Sequence, residues 1–425
     1  MKLRKIAAAA LAALMLSACG TKNGSDTDTT TAADVSESET TTAVVTESVI
    51  REMKDVTAAE LAAGMTVGWN VGNSLDSVGT GLSSETAWGN PKISKELIDA
   101  VNDAGFNVLR IPVTWQGHFG EAPDYTIDEE WLGRVKEVVD YALANDMYAI
   151  INIHHDGNDT DTSWLTPEPS DEEAMVAQFA KLWEQIAAYF EEYDERLLFA
   201  GMNEFHRGYG NPTDGYLALT DRLNQKFVDT VRASGGNNEK RILIVQAYNT
   251  NAYHAMKMTI PTDTASNKLM MEFHYYDPWN FAGEGKGEWG MNSEKANGRS
   301  HEDAADKIFD KIKTQFVDNG IPVIIGEYGA TRNKQGHDDH RRYYIEYITK
   351  AAKERGLIPV YWDNGNDGYS GEAFALFYRG IGTKRLHEDI IDGMMRAASG
   401  EDYEIVLPAP TVVEEETEEA SDEAA

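Results

Sequence analysis

The chain has 425 residues, 42 % of them apolar, and 71 acidic against 38 basic side chains give it a formal charge of −33. That much apolar material supports a sizeable core, while the acidity repels a phosphate backbone and argues against a nucleic-acid partner. A single cysteine excludes an internal disulfide and a thiolate zinc cage.

Lys2, Arg4 and Lys5 precede an apolar stretch over residues 6–16 that is too short to span a bilayer. It closes on Leu16-Ser17-Ala18-Cys19, which resembles the lipobox of bacterial lipoproteins. That resemblance implies a signal peptide over residues 1–18, lipidation of Cys19, and an exported protein held at the cell surface. Contact with the membrane would run through the lipid alone. Residues 19–50 are rich in Thr, Ser and acids and lack Trp, Phe and Tyr, so they read as a disordered tether. The tail 408–425, with seven acids and no base, reads as disordered too. Net charges of +3 on 1–19, −5 on 20–50 and −7 on 408–425 leave −24 on residues 51–407, expected to form one catalytic domain.

Within that domain, apolar runs rich in β-branched residues recur at 66–71, 108–112, 148–153, 197–202, 242–246, 269–273, 323–326 and 359–362. Amphipathic helical patterns separate most of them, at 94–104, 129–145, 172–193, 220–233, 303–318, 340–355 and 384–395. Eight near-continuous apolar strands alternating with helices predict a parallel α/β fold, a (β/α)8 TIM barrel. An open doubly wound sheet is the rival, but no Gly-x-Gly-x-x-Gly turn follows the first strand. In a barrel, chemistry gathers where strands end, and six runs end in polar or aromatic residues. They supply Arg110; Asn152, His154 and His155; Asn203 and Glu204; His274, Tyr275 and Tyr276; Glu327; and Trp362.

Glu204 and Glu327 follow strands four and seven, roughly opposite across the mouth, and two facing carboxyls suit glycosidic bond hydrolysis. Arg110 can hold one of them ionised. His274 and Tyr276, two apart, project to one side and can reach the same carboxylate or the sugar. His154 and His155, adjacent on a strand, project to opposite faces and suit no shared metal. With no His-Glu-x-x-His spacing and no Gly-x-Ser-x-Gly elbow, neither a metal nor another cofactor is expected. Trp131 and Trp183 lie on helical patterns and read as core, and Trp69 fits either core or site. Trp88, Trp115, Trp164, Trp279, Trp289 and Trp362 fall at strand ends or in loops, where a flat ring can stack on a sugar.

Together these segments resemble glycoside hydrolase family 5 over residues 61–395. The most specific pieces are Met202-Asn203-Glu204 and Ile325-Gly326-Glu327-Tyr328-Gly329. They are supported by Leu109-Arg110-Ile111-Pro112, Ile153-His154-His155-Asp156 and His274-Tyr275-Tyr276-Asp277-Pro278-Trp279. The runs 70–76, 88–91 and 361–365 are similar to those of its endoglucanases, xyloglucanases and mixed-linkage glucanases, and place Asn73 and Trp88 with the substrate. The resemblance implies a retaining endo-β-1,4-glucanase acting on plant-type β-glucan, with Glu204 as acid/base and Glu327 as nucleophile. Arg110 and Tyr276 would position the nucleophile, and Asn203 would bind the sugar 2-hydroxyl. His154, His155 and His274 would line the cleft, with Trp362 as stacking floor. A monomer is expected. The rivals are the same chemistry on mannan or xylan, and a non-catalytic glycan-binding lipoprotein.

Overall fold

The eight apolar runs become eight strands: β1 (Gly68–Val71), β2 (Val108–Ile111), β3 (Tyr148–Asn152), β4 (Leu197–Ala200), β5 (Leu243–Asn251), β6 (Leu269–Tyr275), β7 (Val323–Tyr328) and β8 (Leu357–Asp363). In this computed structural model, which describes residues 49–79, 81–157, 163–290, 301–332, 338–369 and 371–408, they pair in chain order. β1 closes the ring by running parallel to both β2 and β8, so the architecture is a (β/α)8 barrel. Strands covered on both faces need apolar side chains on both, which is why these runs do not alternate.

The inner face forms its own layer from Val108, Ile150, Leu198, Ile244, Met270, Ile324 and Ile358. A helix absent from the sequence pattern, α1 (Ala58–Gly64), stoppers the N-terminal end of that layer with Ala58 and Leu61, followed by Met65. Thr57 starts it with a reciprocal capping box to Glu60. Ahead of α1, the Val49 carbonyl accepts from Arg196 and the Arg51 amide donates to Asp194, so this segment is tied just before β4, at the foot of the barrel.

The outer layer is carried by α2 (Lys95–Asp103), α3 (Glu129–Ala144), α4 (Glu172–Tyr189), α5 (Asp214–Ala233), α8 (His301–Gln315), α9 (Asp338–Glu354) and α10 (Glu388–Ala398), while the four-residue α6 (Ala252–Ala255) and α7 (Trp279–Ala282) follow β5 and β6. α5 begins six residues before its apolar pattern because the Thr213 hydroxyl caps it by accepting from the Tyr216 amide. The expected helix at 384–395 starts four residues late. Lys384–Arg385 (β10) pairs instead with Phe377–Tyr378 (β9), and Phe377 packs its ring edge-on against Trp69. Residues 1–48 and 409–425 are outside the described residues, and with them the signal, Cys19 and most of the tether and acidic tail.

Candidate active site

The barrel delivers the polar strand ends to one mouth. Arg110, fully buried on β2, is its hub: Nη1 donates to Glu327 Oε1 at 2.9 Å and to Asn70 Oδ1 at 3.0 Å. Its Nη2 donates to Asn203 Oδ1 at 2.8 Å and lies 3.0 Å from Glu272 Oε1. The Tyr276 hydroxyl reaches the other oxygen of Glu327, Oε2, at 3.1 Å. Glu327 thus has a donor on each carboxylate oxygen.

His274 stands between the two predicted glutamates. Its Nδ1 is 2.8 Å from Glu204 Oε1 and 3.5 Å from Glu327 Oε2, and one carboxylate oxygen of each glutamate and a ring nitrogen all fall within 4.8 Å of one another. A bulge creates this convergence. β6 and β7 pair Phe273 with Ile325, then His274 with Glu327, so Gly326 is the extra residue and re-aims the side chains after it. Gly326 has no room for more: a Cβ there would sit 1.9 Å from Glu272 Oε1.

The electrostatics arise from burial and this crowding. Burial opposes charge on His274, but Glu327, Glu204 and Glu272 outweigh it and raise its pKa to about 9. Burial pushes Glu204 up, yet the hydrogen bond and charge of His274, helped by His206 and His155, draw it below the usual carboxylate range. Glu327 goes the other way. Burial raises it, Glu204 and Glu272 add repulsion, and His274 and Arg110 offset only part. Burial and the charges of His155, Arg110 and His274 keep His154 neutral. Since its Nδ1 pairs with the Asn152 amide at 3.0 Å, its proton belongs on Nε2, which faces Glu327 Oε1 at 3.9 Å.

The aromatic residues divide. Trp362 is nearly buried and lies parallel to His154, with ring centroids 5.9 Å apart. Trp88 is 45 % exposed beside His155, and Trp279 is 50 % exposed beside Tyr276. Trp115 and Trp289, expected as stacking candidates, are fully buried. Trp115 donates to the Asn152 carbonyl, and Trp289 packs among Tyr343, Tyr344 and Tyr347. Trp164 is half-buried and donates to Asp156, and Trp69 lies inside the barrel wall, donating to Asp363. Asn73, in a left-handed turn, offers its carbonyl to Asn90 and its amide to Asp76.

Strand alternation does not govern His154 and His155, because β3 ends at Asn152. Their rings meet edge-on with centroids 4.4 Å apart, and His155 Nε2 lies 3.5 Å from Asp76 Oδ2. Asp76, His154 and His155 therefore bring potential ligand atoms within 4.8 Å, as Glu204, His274 and Glu327 do. Hydrogen bonding within the chain engages this first group: Asp76 accepts from the Asn73 and Ser74 amides, and His154 is held by Asn152.

Four site residues have no role assigned from the sequence: Asn70 and Asp76, at the two ends of the run 70–76, and Gln246 and Glu272. Asn70 donates to the Gly326 carbonyl at 2.8 Å, and Gln246 donates to Glu272 Oε2 at 2.7 Å. A charged residue in the middle of the apolar run 269–273 was the available signal for Glu272.

Residues 72–368 match the cellulase family, glycosyl hydrolase family 5. The chain belongs to that family. It is 40 % identical over 368 residues to endoglucanase A of Paenibacillus barcinonensis, covering 81 % of this chain and 91 % of that protein. Among solved structures it is similar to a family 5 xyloglucanase from Paenibacillus pabuli, with a TM-score of 0.75, 40 % identity, and coverage of 80 % and 99 % of the two chains. A broad specificity endoglucanase from Bacteroides salanitronis matches with a TM-score of 0.76 and 40 % identity over 83 % of this chain and 98 % of that one. The chain is a glycoside hydrolase, as the paired glutamates at its mouth suggest.

Proposed function

We propose that this family 5 protein is an endo-β-1,4-glucanase that hydrolyses β-glucans with retention, using Glu204 as acid/base and Glu327 as nucleophile. The observation that carries this reading is the approach of carboxylate oxygens of Glu204 and Glu327 to within 4.8 Å. Retaining sites hold their carboxyl groups about 5–5.5 Å apart, whereas inverting sites leave about 6.5–9.5 Å for a water.

In the first step Glu327 attacks the anomeric carbon while Glu204 protonates the departing glycosidic oxygen, leaving a glycosyl ester on Glu327. In the second, Glu204 takes a proton from water, the water oxygen attacks the same carbon, and Glu327 is released. The proton for the first step is at hand on His274 Nδ1, hydrogen-bonded to Glu204. A sugar that displaces water from the cleft disfavours the separated charges and moves that proton onto Glu204. Arg110 and Tyr276 keep Glu327 aimed and stabilise its carboxylate. Asn203, whose side-chain oxygen is taken by Arg110, has its amide group for the 2-hydroxyl. Trp362 forms the floor under the cleaved sugar, and His154, His155, Asn73 and Trp88 line one side.

The β-glucan specificity is supported by the relatives, one a xyloglucanase and one an endoglucanase of broad specificity, and we assign cellulose, mixed-linkage glucan or xyloglucan as the substrate. Proton NMR of fresh digests tests the reading: β-anomer first, with later mutarotation, is expected. An α-anomer first overturns the nucleophile role of Glu327, and release from mannan or xylan alone overturns the glucan assignment.

We further propose that the protein is exported and held at the cell surface by lipid on Cys19, with residues 19–50 as tether except that Val49 and Ile50 pack on the barrel, 51–407 as catalytic domain and 408–425 as acidic tail. Mass spectrometry of the mature N-terminus tests it. A diacylglyceryl-modified Cys19 is expected, and an unmodified one overturns it.

A further inference from the structure

We propose that Glu272 is a positioning residue for the glycosidase reaction, a buried third carboxylate that holds Arg110 and His274 beneath the catalytic pair and whose negative charge sets the pH window of hydrolysis. The inference rests on the roles assigned above to Glu204 and Glu327 and adds a residue that does not touch the sugar.

The geometry is that of a shared counter-charge. Glu272 is 1 % exposed and meets three partners from three strands. Arg110 Nη2 on β2 lies 3.0 Å from Oε1, Gln246 on β5 donates to Oε2 at 2.7 Å, and His274 Nε2 on β6 lies 3.4 Å from Oε1. Each partner leads to a catalytic group. The other arm of Arg110 is on Glu327, the other ring nitrogen of His274 is on Glu204, and the Gln246 oxygen accepts from the Met202 amide, two residues before Glu204. The missing side chain of Gly326 leaves the space that Glu272 occupies.

A carboxylate removed from water is costly unless cations and donors surround it, and here they do: burial is outweighed by Arg110, His274 and Gln246, which bring Glu272 to about 2. It is therefore ionised at every working pH. Its charge repels ionisation of Glu327 and favours the proton on His274, so it raises the proton affinity of both catalytic limbs. The other titratable groups facing the pair are Tyr276, Glu372, the neutral His154, and His155 and His206, which bear on Glu204.

Replacing Glu272 by Gln removes one negative charge, so Glu327 ionises at lower pH and the proton shared by His274 and Glu204 is lost at lower pH. Both limbs of the profile move in the same direction. The experiment measures kcat and KM of wild type, Glu272→Gln and Glu272→Asp on soluble mixed-linkage β-glucan from pH 4 to 10. For Glu272→Gln, both limbs are expected to move down by about 1 pH unit, with kcat about tenfold lower and KM within about threefold. Glu272→Asp, which keeps the charge, is expected to leave the limbs near wild type. A folded Glu272→Gln enzyme that is slower but keeps the wild-type limbs overturns the proposal in favour of a packing role. If Glu272→Gln does not fold, 15N NMR of the His274 ring in the Glu204→Gln/Glu327→Gln enzyme decides, because Glu272 is then the carboxylate left against the ring: a ring still mainly doubly protonated at about pH 7 supports the proposal, and one mainly neutral there overturns it. Because that readout needs no turnover, an inactive wild type would sink the glucanase reading alone.

Discussion

His274 Nδ1 lies 2.8 Å from Glu204 Oε1 and 3.5 Å from Glu327 Oε2, so one imidazole faces both carboxylates of the mouth. The pH profile of kcat/KM is expected to report this arrangement. Falling pH protonates Glu327, which burial and its acidic neighbours raise, so the acid limb lies above the ordinary glutamate range. Rising pH removes the proton that His274 shares with Glu204, so the basic limb lies near the His274 value of about 9. A basic limb at about pH 6.5 or below, the range of an unassisted histidine, would show that the three carboxylates do not hold the ring charged.

Glu327→Gln separates a hydrolase from a glycan-binding protein. The amide fills the same space and still receives a hydrogen bond, but it cannot form the glycosyl ester. Turnover is expected to fall by roughly 10⁴-fold or more, while calorimetry finds cello-oligosaccharide bound within about tenfold of wild type. Turnover within tenfold of wild type would mean that another group is the nucleophile.

The barrel was legible because burial on both faces forces each strand to be apolar, and all eight runs lie where β1 to β8 form. The site was legible where polar residues came directly after those runs, as with Asn203-Glu204 and with His274. Glu272 and Gln246 were not, because both sit inside strands and act through other side chains. α1 was missed since a seven-residue helix carries too few periods to display its face. Trp115 and Trp289 were placed with the stacking residues because a loop position says nothing of what folds over it. Only contacts distant in sequence bury them.

Gly326→Ala tests how tightly the ion network is packed. A Cβ 1.9 Å from Glu272 Oε1 cannot be accommodated without moving that carboxylate, and Arg110 and His274 with it. Overpacking of this kind costs about 1–3 kcal/mol, so a clear drop in the urea midpoint is expected together with a kcat loss exceeding tenfold. Unchanged stability and activity would mean that Glu272 has space to retreat, contrary to its close contacts.

Trp88 follows β1 and stands beside His155, while Trp279 opens α7 after β6 and stands beside Tyr276. In barrel order these places are on opposite sides of the glutamates, as an endo-acting cleft requires if chain is to be gripped on either side of the cut. Loss of one stacked ring is expected to cost about 1.4 kcal/mol, a factor of ten in binding. Trp88→Ala and Trp279→Ala should therefore each raise KM on polymeric β-glucan roughly tenfold. An aryl cellotrioside places its sugars on one side of the cleaved bond only, so just one of the two substitutions should weaken its hydrolysis. If both or neither did so, the two rings would not flank the point of cleavage.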